Sequence, residues 1–484
     1  MKHGSDGRNL RAVHLDVRSQ GHKKERRIEP RMAEATAEAP VNLARMSVFQ
    51  LAWPVMIANL LQTLTTTVDL IMVGHLGAES DAAVAAVGFG AQFIFLFFSV
   101  MISISAGTIA LVARAIGAND VEQADRVLKQ SLVLGALLSI PLTVFGLVFA
   151  EPMLAAFGAQ SDVVALGGAY IRIISLVVFF QFISFLGSAA LRGAGDTVTP
   201  LWIGVLVNLV NFGVNVNLIY GNVVVPKLGV PGAAIGTSIS YAVGALTLLA
   251  ILLRGKRRLR LHLSGDLVHM ETVRRIFRIG WPAAFEQIAL QVAFLLWVVM
   301  VVRFGTDVLA AHQIGLRIQS FAFMPGFGFA LAATALVGQN LGARDPDHAE
   351  RSGWEAAKFS VAIMSGIAVG IFVFAEPIAR VFIGDPVVVA YSITFIRIHA
   401  VSIPAIGLFF AIDGALRGAG DTRFPLVTSL TGMYVVRLPL SFLLGFVLGW
   451  GIVGIWVPLV FEYYYRCAVI SQHFRRGKWK ALRV

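Results

Sequence analysis

Polar side chains that could bind or exchange a small cation lie inside the apolar segments of this chain. The first such segment carries Asn59, Gln62, Thr66 and Asp69 at spacings of 3, 4 and 3 residues, which places them on one face of a helix. An acid at the centre of a bilayer costs about 2.5–3.5 kcal/mol on insertion scales, so it generally faces a cavity and has a function. We therefore expect Asp69 to exchange a proton or hold a small cation, and Gln62 and Thr66 to contact a substrate in the same cavity.

Two later segments add amide and hydroxyl side chains. Asn208, Asn211 and Asn215 are spaced by 3 and 4 residues in one segment, and Thr237 lies in the next. Such residues often join helices through hydrogen bonds and have no further role, and that alternative stays open. The other possibility is that they line the cavity of Asp69, and we assign Asn208 to the substrate-binding part of it.

The second half of the chain carries its own intramembrane charges. Glu286 and Gln287 lie in the seventh apolar segment, and we predict that both contact the substrate, because a carboxylate there would attract a cation. Arg437 and Glu462 lie in the last two segments, and we interpret them as an intramembrane ion pair with a packing role. Asp413 lies near the end of its segment, where an acid costs little.

The composition indicates a polytopic membrane protein. Of the 484 residues, 57% are hydrophobic and 14% charged, whereas soluble domains have about 45–50% apolar and about 25% charged residues. The net charge of +12 could suggest a nucleic-acid partner, but the basic residues gather in tails and loops, where they act as topology signals facing anionic lipid. We expect membrane lipid and no nucleic acid as partners.

Signatures of enzymes, metals and nucleotides are missing from the sequence. The ten histidines and single cysteine have no metal-ligand spacing. The sequence contains no glycine-rich loop ending in Lys-Ser or Lys-Thr, so ATP is not the expected energy source. We find no cluster of a nucleophile with an acid and a base, and therefore expect a protein that is not an enzyme and has no cofactor.

Twelve segments are long and apolar enough to cross a bilayer, whose core of about 30 Å needs about 20 apolar residues per helix. They lie at 47–75, 83–109, 127–150, 162–190, 198–221, 231–253, 277–304, 308–337, 356–381, 388–416, 423–448 and 451–473.

The two halves of the chain repeat each other. The sequence Ala-Leu-Arg-Gly-Ala-Gly-Asp-Thr occurs at 190–197 and again at 415–422, and the same offset relates Gly117 to Gly342. Each half contains an even number of spans, so both halves enter the membrane from the same side. We predict an all-α membrane protein with two six-helix lobes, related by a parallel pseudo-two-fold repeat around a central cleft.

Basic residues set the expected orientation. The connections after even-numbered segments and the C-terminus are rich in Lys and Arg, whereas those after odd-numbered segments hold little beyond Lys227 and Arg303. Both termini are therefore predicted to be cytoplasmic. The predicted order is a disordered basic tail at 1–44, an N-terminal lobe at 45–253, a basic cytoplasmic inter-lobe loop at 254–276, a C-terminal lobe at 277–473 and a basic tail at 474–484.

Several motifs resemble those of the MATE (multidrug and toxic compound extrusion) family, and the likeness covers about 45–473. The carriers are Trp53-Pro54, the run Val-Asp-Leu-Ile-Met-Val-Gly at 68–74, Ala-Ala-His-Gln at 310–313 and the twin Leu-Arg-Gly-Ala-Gly-Asp-Thr runs. The family consists of twelve-helix secondary transporters that exchange cytoplasmic organic cations for external sodium or protons.

The resemblance also implies site residues. Asp69 matches the acid of the first helix that takes part in cation coupling, and Asn211, Asn215 and Thr237 match positions that line the same cavity. Asn215 stands where some members have a second aspartate, so the site here holds one carboxylate. Leu290 and Ile406 stand where one branch of the family has acids that bind sodium in the C-terminal lobe, so Glu286 and Asp413 are not carried over as cation ligands.

These observations predict an inner-membrane antiporter that exports organic cations or drugs in exchange for H⁺ or Na⁺ by alternating access. The runner-up is a flippase for a lipid-linked sugar or another lipid, because related members of the superfamily have the same scaffold. A membrane-embedded enzyme is the third possibility, and it would need a catalytic cluster that the sequence does not show.

Overall fold

The computed structural model describes residues 47–75, 80–156, 158–221, 226–255, 258–262, 264 and 267–482, and the predicted tail at 1–44 lies outside them. The described chain folds into α-helices joined by short turns. They are α1 Val48–Gly74, α2 Ser80–Gly117, α3 Val121–Ala156, α4 Ser161–Leu176, α5 Val178–Gly193, α6 Val198–Tyr220, α7 Val230–Arg254, α8 Met270–Val302, α9 Thr306–Gly342, α10 Pro346–Val373, α11 Ala375–Phe382, α12 Pro386–Gly418, α13 Arg423–Leu430, α14 Leu438–Phe442 and α15 Gly451–Arg476, with a 3₁₀ turn at Lys478–Ala481.

The helices confirm the predicted number of membrane spans. Within the described residues, eleven spans are long and apolar enough to cross a bilayer, and the bent pair α4–α5, with an angle of 54° between its halves, makes a twelfth. The eleventh span, Arg423–Val447, alternates α-helix with π-helical turns at Thr431–Arg437 and Leu443–Val447. Such turns often mark functional or strained positions. Several helices extend beyond the predicted segments; α8, for example, begins at Met270 rather than at 277.

Local capping determines where several helices begin. Ser47 and Gln50 form a reciprocal capping box at the start of α1. The side chain of Asp385 accepts hydrogen bonds from two backbone N–H groups in the first turn of α12, and Pro386 occupies the first helical position. These contacts satisfy N–H groups that have no partner within the helix.

The internal repeat is visible in the backbone as well as in the sequence. Gly195 and Gly420, which occupy the same position in the two octapeptides, have φ values of 85° and 84° in the turns that follow α5 and α12. Asp196 and Asp421 then accept hydrogen bonds from the backbone N–H groups at the start of α6 and α13, at 2.9 and 3.3 Å. Each copy of the octapeptide is therefore a helix–turn–helix corner that uses glycine for a left-handed residue and aspartate for the cap.

Helices α1–α7 form the N-terminal lobe and α8–α15 the C-terminal lobe. We call the end of the bundle that carries the α2–α3, α5–α6, α9–α10 and α12–α13 turns and residues 477–482 the basic end. Next to this end the lobes are joined by hydrogen bonds of Arg114 and Gln339 and by close contacts of the glycines of α2 and α9. There the start of α1, with Val48 and Leu51, packs in one core with Phe329 and Leu336 of α9.

The segment predicted as an inter-lobe loop packs on the N-terminal lobe where it is described. Leu259 is completely buried, and the N–H of Arg260 donates to the Asp125 carboxylate at 2.8 Å. Further along, the N–H of His269 donates to the side-chain oxygen of Gln130 at 2.9 Å. This connection is thus held against α3 up to the start of α8.

Candidate functional site

The half of the N-terminal lobe away from the basic end brings Asp69 together with the amides of α6. The Asn215 side chain donates to the Asp69 carboxylate at 2.7 Å and to the Asn211 side-chain oxygen at 3.2 Å. Asn211 in turn donates to the Thr237 hydroxyl of α7 at 3.3 Å. Residues from α1, α6 and α7 therefore form one hydrogen-bonded chain, and the four residues predicted for cation coupling lie in contact.

The site is tightly packed behind Asn215. Asn215 is fully buried and Asn211 is 2% exposed. A Cβ atom at Gly236 would overlap the side-chain oxygen of Asn215, so only glycine leaves room for this amide against α7. Packing therefore fixes the amide in the position from which it donates to Asp69.

Two tyrosines complete the surroundings of Asp69, and the sequence analysis missed them. Tyr170 of α4 and Tyr241 of α7 lie close enough to Asp69 to interact with it electrostatically, and the Tyr241 hydroxyl interacts with the side chain of Gln62. The Tyr170 ring lies against α2 at Gly90, where a Cβ would be 2.6 Å from it. The sequence could have indicated these two residues, because a tyrosine inside an apolar segment normally needs a polar partner for its hydroxyl group.

The other residues predicted to bind substrate lie on the same helices but outside this chain of hydrogen bonds. Gln62 and Thr66 are exposed on α1, and the Thr66 hydroxyl donates to the backbone oxygen of Gln62 at 3.0 Å. Asn208 is half-buried on α6, two turns before Asn215. Their contact with a substrate stays a prediction.

In the C-terminal lobe, Glu286 pairs with an arginine of the repeated octapeptide. Arg417 donates to Glu286 at 2.6 Å and to Asp413 at 2.8 Å, so two acids of α8 and α12 share one guanidinium. Glu286 is only 6% exposed, and Gln287 beside it is half-buried. The sequence did not indicate this pairing, and a role of Glu286 and Gln287 in substrate binding stays a prediction.

A second charged network joins the last two spans. Glu462 of α15 is fully buried and forms ion pairs with Arg437 and with Arg466, which lies one turn further along α15. The guanidinium of Arg437 also lies over the rings of Trp297 and Tyr463, at 5.0 and 5.3 Å from their centres. The predicted pair of Arg437 and Glu462 is thus confirmed, with Arg466 as an additional partner.

The chemistry available at Asp69 is that of a carboxylate whose partners are neutral. Within the part of the chain that the structure describes, no Lys, Arg or His forms a salt bridge with Asp69, and its hydrogen-bond partners are amides. The carboxylate can take a proton, or its oxygens can bind a small hard cation together with the nearby amide and hydroxyl oxygens. The described residues contain no group of three or more His, Cys, Asp or Glu side chains that could hold a metal ion.

Twelve membrane spans in two repeated lobes, with a half-buried carboxylate in one of them, define a multi-pass membrane-transporter fold. The sequence pattern of the MatE family matches residues 54–217 and 282–443, one stretch in each lobe. The chain therefore belongs to the MatE family of membrane transporters and is not an enzyme.

Individual relatives agree with this assignment. The chain is 30% identical over 449 residues to a probable multidrug resistance protein NorM of Thermotoga maritima, covering 90% of this chain and 93% of the relative. It is 32% identical to the multidrug resistance protein NorM of Burkholderia vietnamiensis, covering 87% and 92%. Its fold is similar, with a TM-score of 0.83 and 24% identity, to an outward-facing structure of a multidrug resistance MATE family transporter, covering 91% and 98% of the two chains.

Proposed function

We propose that this transporter is an antiporter of the inner membrane that exports organic cations from the cytoplasm in exchange for H⁺ or Na⁺. The observation that carries the proposal is the isolated carboxylate of Asp69, held by neutral amides in the outer half of the N-terminal lobe. The names of the relatives, multidrug resistance proteins, support export of drug-like compounds as the direction and purpose of transport.

An uncompensated carboxylate inside a membrane protein favours a bound cation. Removing a charge from water costs several kcal/mol, and neutral amides offset only part of that cost. Binding of a proton or a sodium ion neutralises Asp69 and stabilises the site. Because the counter-charge must come from a mobile ion, this site is suited to couple an ion gradient to transport.

The coupling requires two states of the protein with different affinities. A cytoplasmic organic cation enters the cleft when it is open at the basic end, and an ion from outside reaches Asp69 when the cleft is open at the other end. Ion binding at Asp69 then favours the state that releases the drug, and the two lobes rock as rigid bodies between the states.

The orientation follows from charge. Lys and Arg gather in the short turns of the basic end and in the C-terminal segment, which contains Arg475, Arg476, Lys478 and Lys480. Cytoplasmic loops of membrane proteins carry this excess. The basic end and both termini are accordingly proposed to face the cytoplasm.

The test is efflux of a fluorescent organic cation from an efflux-deficient host, triggered by a sodium pulse or an acid pulse. Dye release after one of these pulses, abolished in Asp69→Asn, would support the antiporter and identify the coupling ion. The matched control is Asp307→Asn, the same change at an exposed position in the first turn of α9. Unchanged export by Asp69→Asn protein that is present in the membrane would exclude this site as the coupling site.

A wild-type protein that is folded in the membrane but shows no ion-triggered release would overturn the antiporter proposal. The lipid flippase would then be the next function to test, with fluorescent lipids in reconstituted vesicles as the assay.

A further inference from the structure

The two lobes cross closely at the basic end, through α2 and α9. A Cβ atom on Gly117 would overlap the carbonyl oxygen of Gln339, and one on Gly342 would overlap the carbonyl oxygen of Arg114. Gly117 and Gly342 are equivalent positions of the sequence repeat, and so are Arg114 and Gln339. The crossing is therefore reciprocal: each helix places a glycine against the backbone of the other at the same point of the repeat.

The side chains of Arg114 and Gln339 extend the same symmetry. Arg114 of the N-terminal lobe donates to the backbone oxygen of Ala419, just after α12, at 2.8 Å. Gln339 of the C-terminal lobe donates to the backbone oxygen of Gly193, the last residue of α5, at 2.9 Å. Each lobe thus bonds to the helix end in the octapeptide corner of the other lobe.

Helix ends are good acceptors for such bonds. The last carbonyl groups of a helix have no partner within the helix and form the negative end of its dipole, so a cationic or amide donor is favoured there. The two bonds differ in one respect, because Arg114 also donates to the backbone oxygen of Leu482 at 2.9 Å. The segment that carries Leu482 is fixed to the C-terminal lobe by Trp479, which is fully buried and stacks on Phe474.

We propose that Arg114 and Gln339 form a latch that holds the lobes together at the basic end and opens in each transport cycle. The proposal rests on the function proposed above, since opening the cleft at this end must separate α2 from α9. That movement breaks the Arg114–Ala419 and Gln339–Gly193 bonds together, and both residues act by positioning the lobes without contacting the transported ion. The Arg114 bonds contribute more than the Gln339 bond, because one donor is charged and holds two acceptors.

The latch is tested by the distance between spin labels on the two lobes in the purified full-length protein. Labels at Arg126→Cys and Arg351→Cys, two exposed positions related by the repeat at the starts of α3 and α10, report opening of the basic end. The background is Cys467→Ser, because Cys467 is the only cysteine of the chain. The variants are Arg114→Leu, Gln339→Leu and Arg114→Gln, with Arg278→Leu at an exposed position of α8 as the matched control.

We expect one dominant distance in the parent protein, and a second, longer distance in Arg114→Leu and, more weakly, in Gln339→Leu. The ratio of open to closed protein should rise roughly tenfold in Arg114→Leu, equivalent to about 1.4 kcal/mol. Arg114→Gln should lie between the parent and Arg114→Leu, because the neutral amide can still donate one hydrogen bond but loses the charge and the second acceptor. Arg278→Leu should not change the distances.

An unchanged distance distribution in both Arg114→Leu and Gln339→Leu, with only a lower unfolding temperature, would overturn the latch and leave these residues a packing role. The dye-efflux assay on the same parent protein separates the two proposals. Ion-driven export with unresponsive distances refutes the latch alone, whereas responsive distances without ion-driven export refute the antiporter alone.

Discussion

The two lobes share a backbone plan but treat intramembrane charge in opposite ways. In the N-terminal lobe the Asp69 carboxylate is bound by neutral amides. In the C-terminal lobe three acids are matched by three arginines, in the networks described above for Glu286 and Glu462. The repeat places an arginine at the same position of both octapeptides. The guanidinium carbon of Arg192 lies 6.0 Å from the centre of the Phe185 ring, whereas its counterpart Arg417 binds two acids.

This difference distinguishes acids that form ion pairs within a lobe from an acid that is free to bind and release a mobile ion. A buried acid whose counter-charge is an arginine on a neighbouring helix is compensated without a mobile ion. A half-buried acid among neutral amides, such as Asp69, has a counter-charge only when an ion is bound. We therefore propose that coupling takes place in the N-terminal lobe and that the charges of the C-terminal lobe have a mainly structural role.

The largest effect is expected when the Glu462 network is broken. Glu462→Gln leaves Arg437 and Arg466 buried without an acid, and the loss of one partner from a buried ion pair costs about 3–5 kcal/mol in the free energy of unfolding. Thermal unfolding in detergent measures the change. The control is Glu376→Gln, which removes an exposed pair with Arg380 and should cost less than about 1 kcal/mol; equal losses in the two variants would contradict a structural role for Glu462.

Gly236→Ala tests the N-terminal site without changing its charge. The added methyl group displaces the Asn215 side chain and removes its bond to Asp69. A hydrogen bond to a charged group contributes about 1.5–3 kcal/mol, so the affinity for the coupling ion should change by roughly tenfold or more. The ion concentration that triggers half-maximal dye release measures this affinity. The control is Gly213→Ala on α6, where an added Cβ meets no atom within 4 Å.

Glu286→Gln should affect export much less than Asp69→Asn. Arg417 retains Asp413 as a partner at 2.8 Å, so the network loses one of two acids and keeps its arginine neutralised. We expect export within about threefold of wild type, a change of well under about 1.4 kcal/mol. A loss as complete as that of Asp69→Asn would instead support the sequence-based prediction that Glu286 attracts the cationic substrate.

The smallest effect is expected outside the membrane, at Lys480. Its hydrogen bond to Glu350 raises the pKa of the Lys480 amine above its ordinary value. A raised pKa adds stability at every pH below the ordinary value of about 10.4, and this stability is lost only at higher pH. Lys480→Met should therefore cost less than about 1 kcal/mol, with the same cost at pH 6 and pH 8 in thermal unfolding; a cost that differs between the two pH values would contradict this account.

Local pattern was sufficient to predict much of this protein. Apolar segments of about 20 residues must be helices in a bilayer, because their backbone groups have no other partners there. The spacing of Asn211 and Asn215 placed both amides on one face of a helix, and the structure places them in a chain with Asp69 and Thr237. The constant offset between the repeated motifs predicted the two lobes.

Partners that depend on how helices pack could not be read from local pattern. Arg417 and Glu286 are separated by 131 residues in the chain, and the sequence contains no periodicity that relates α8 to α12. The same holds for Tyr170 beside Asp69, for the space at Gly236 and for the bonds of Arg114 and Gln339 across the lobes. Helical periodicity determined which side chains share a face, whereas only tertiary packing decided which face of another helix they meet, and thereby which buried charges are compensated.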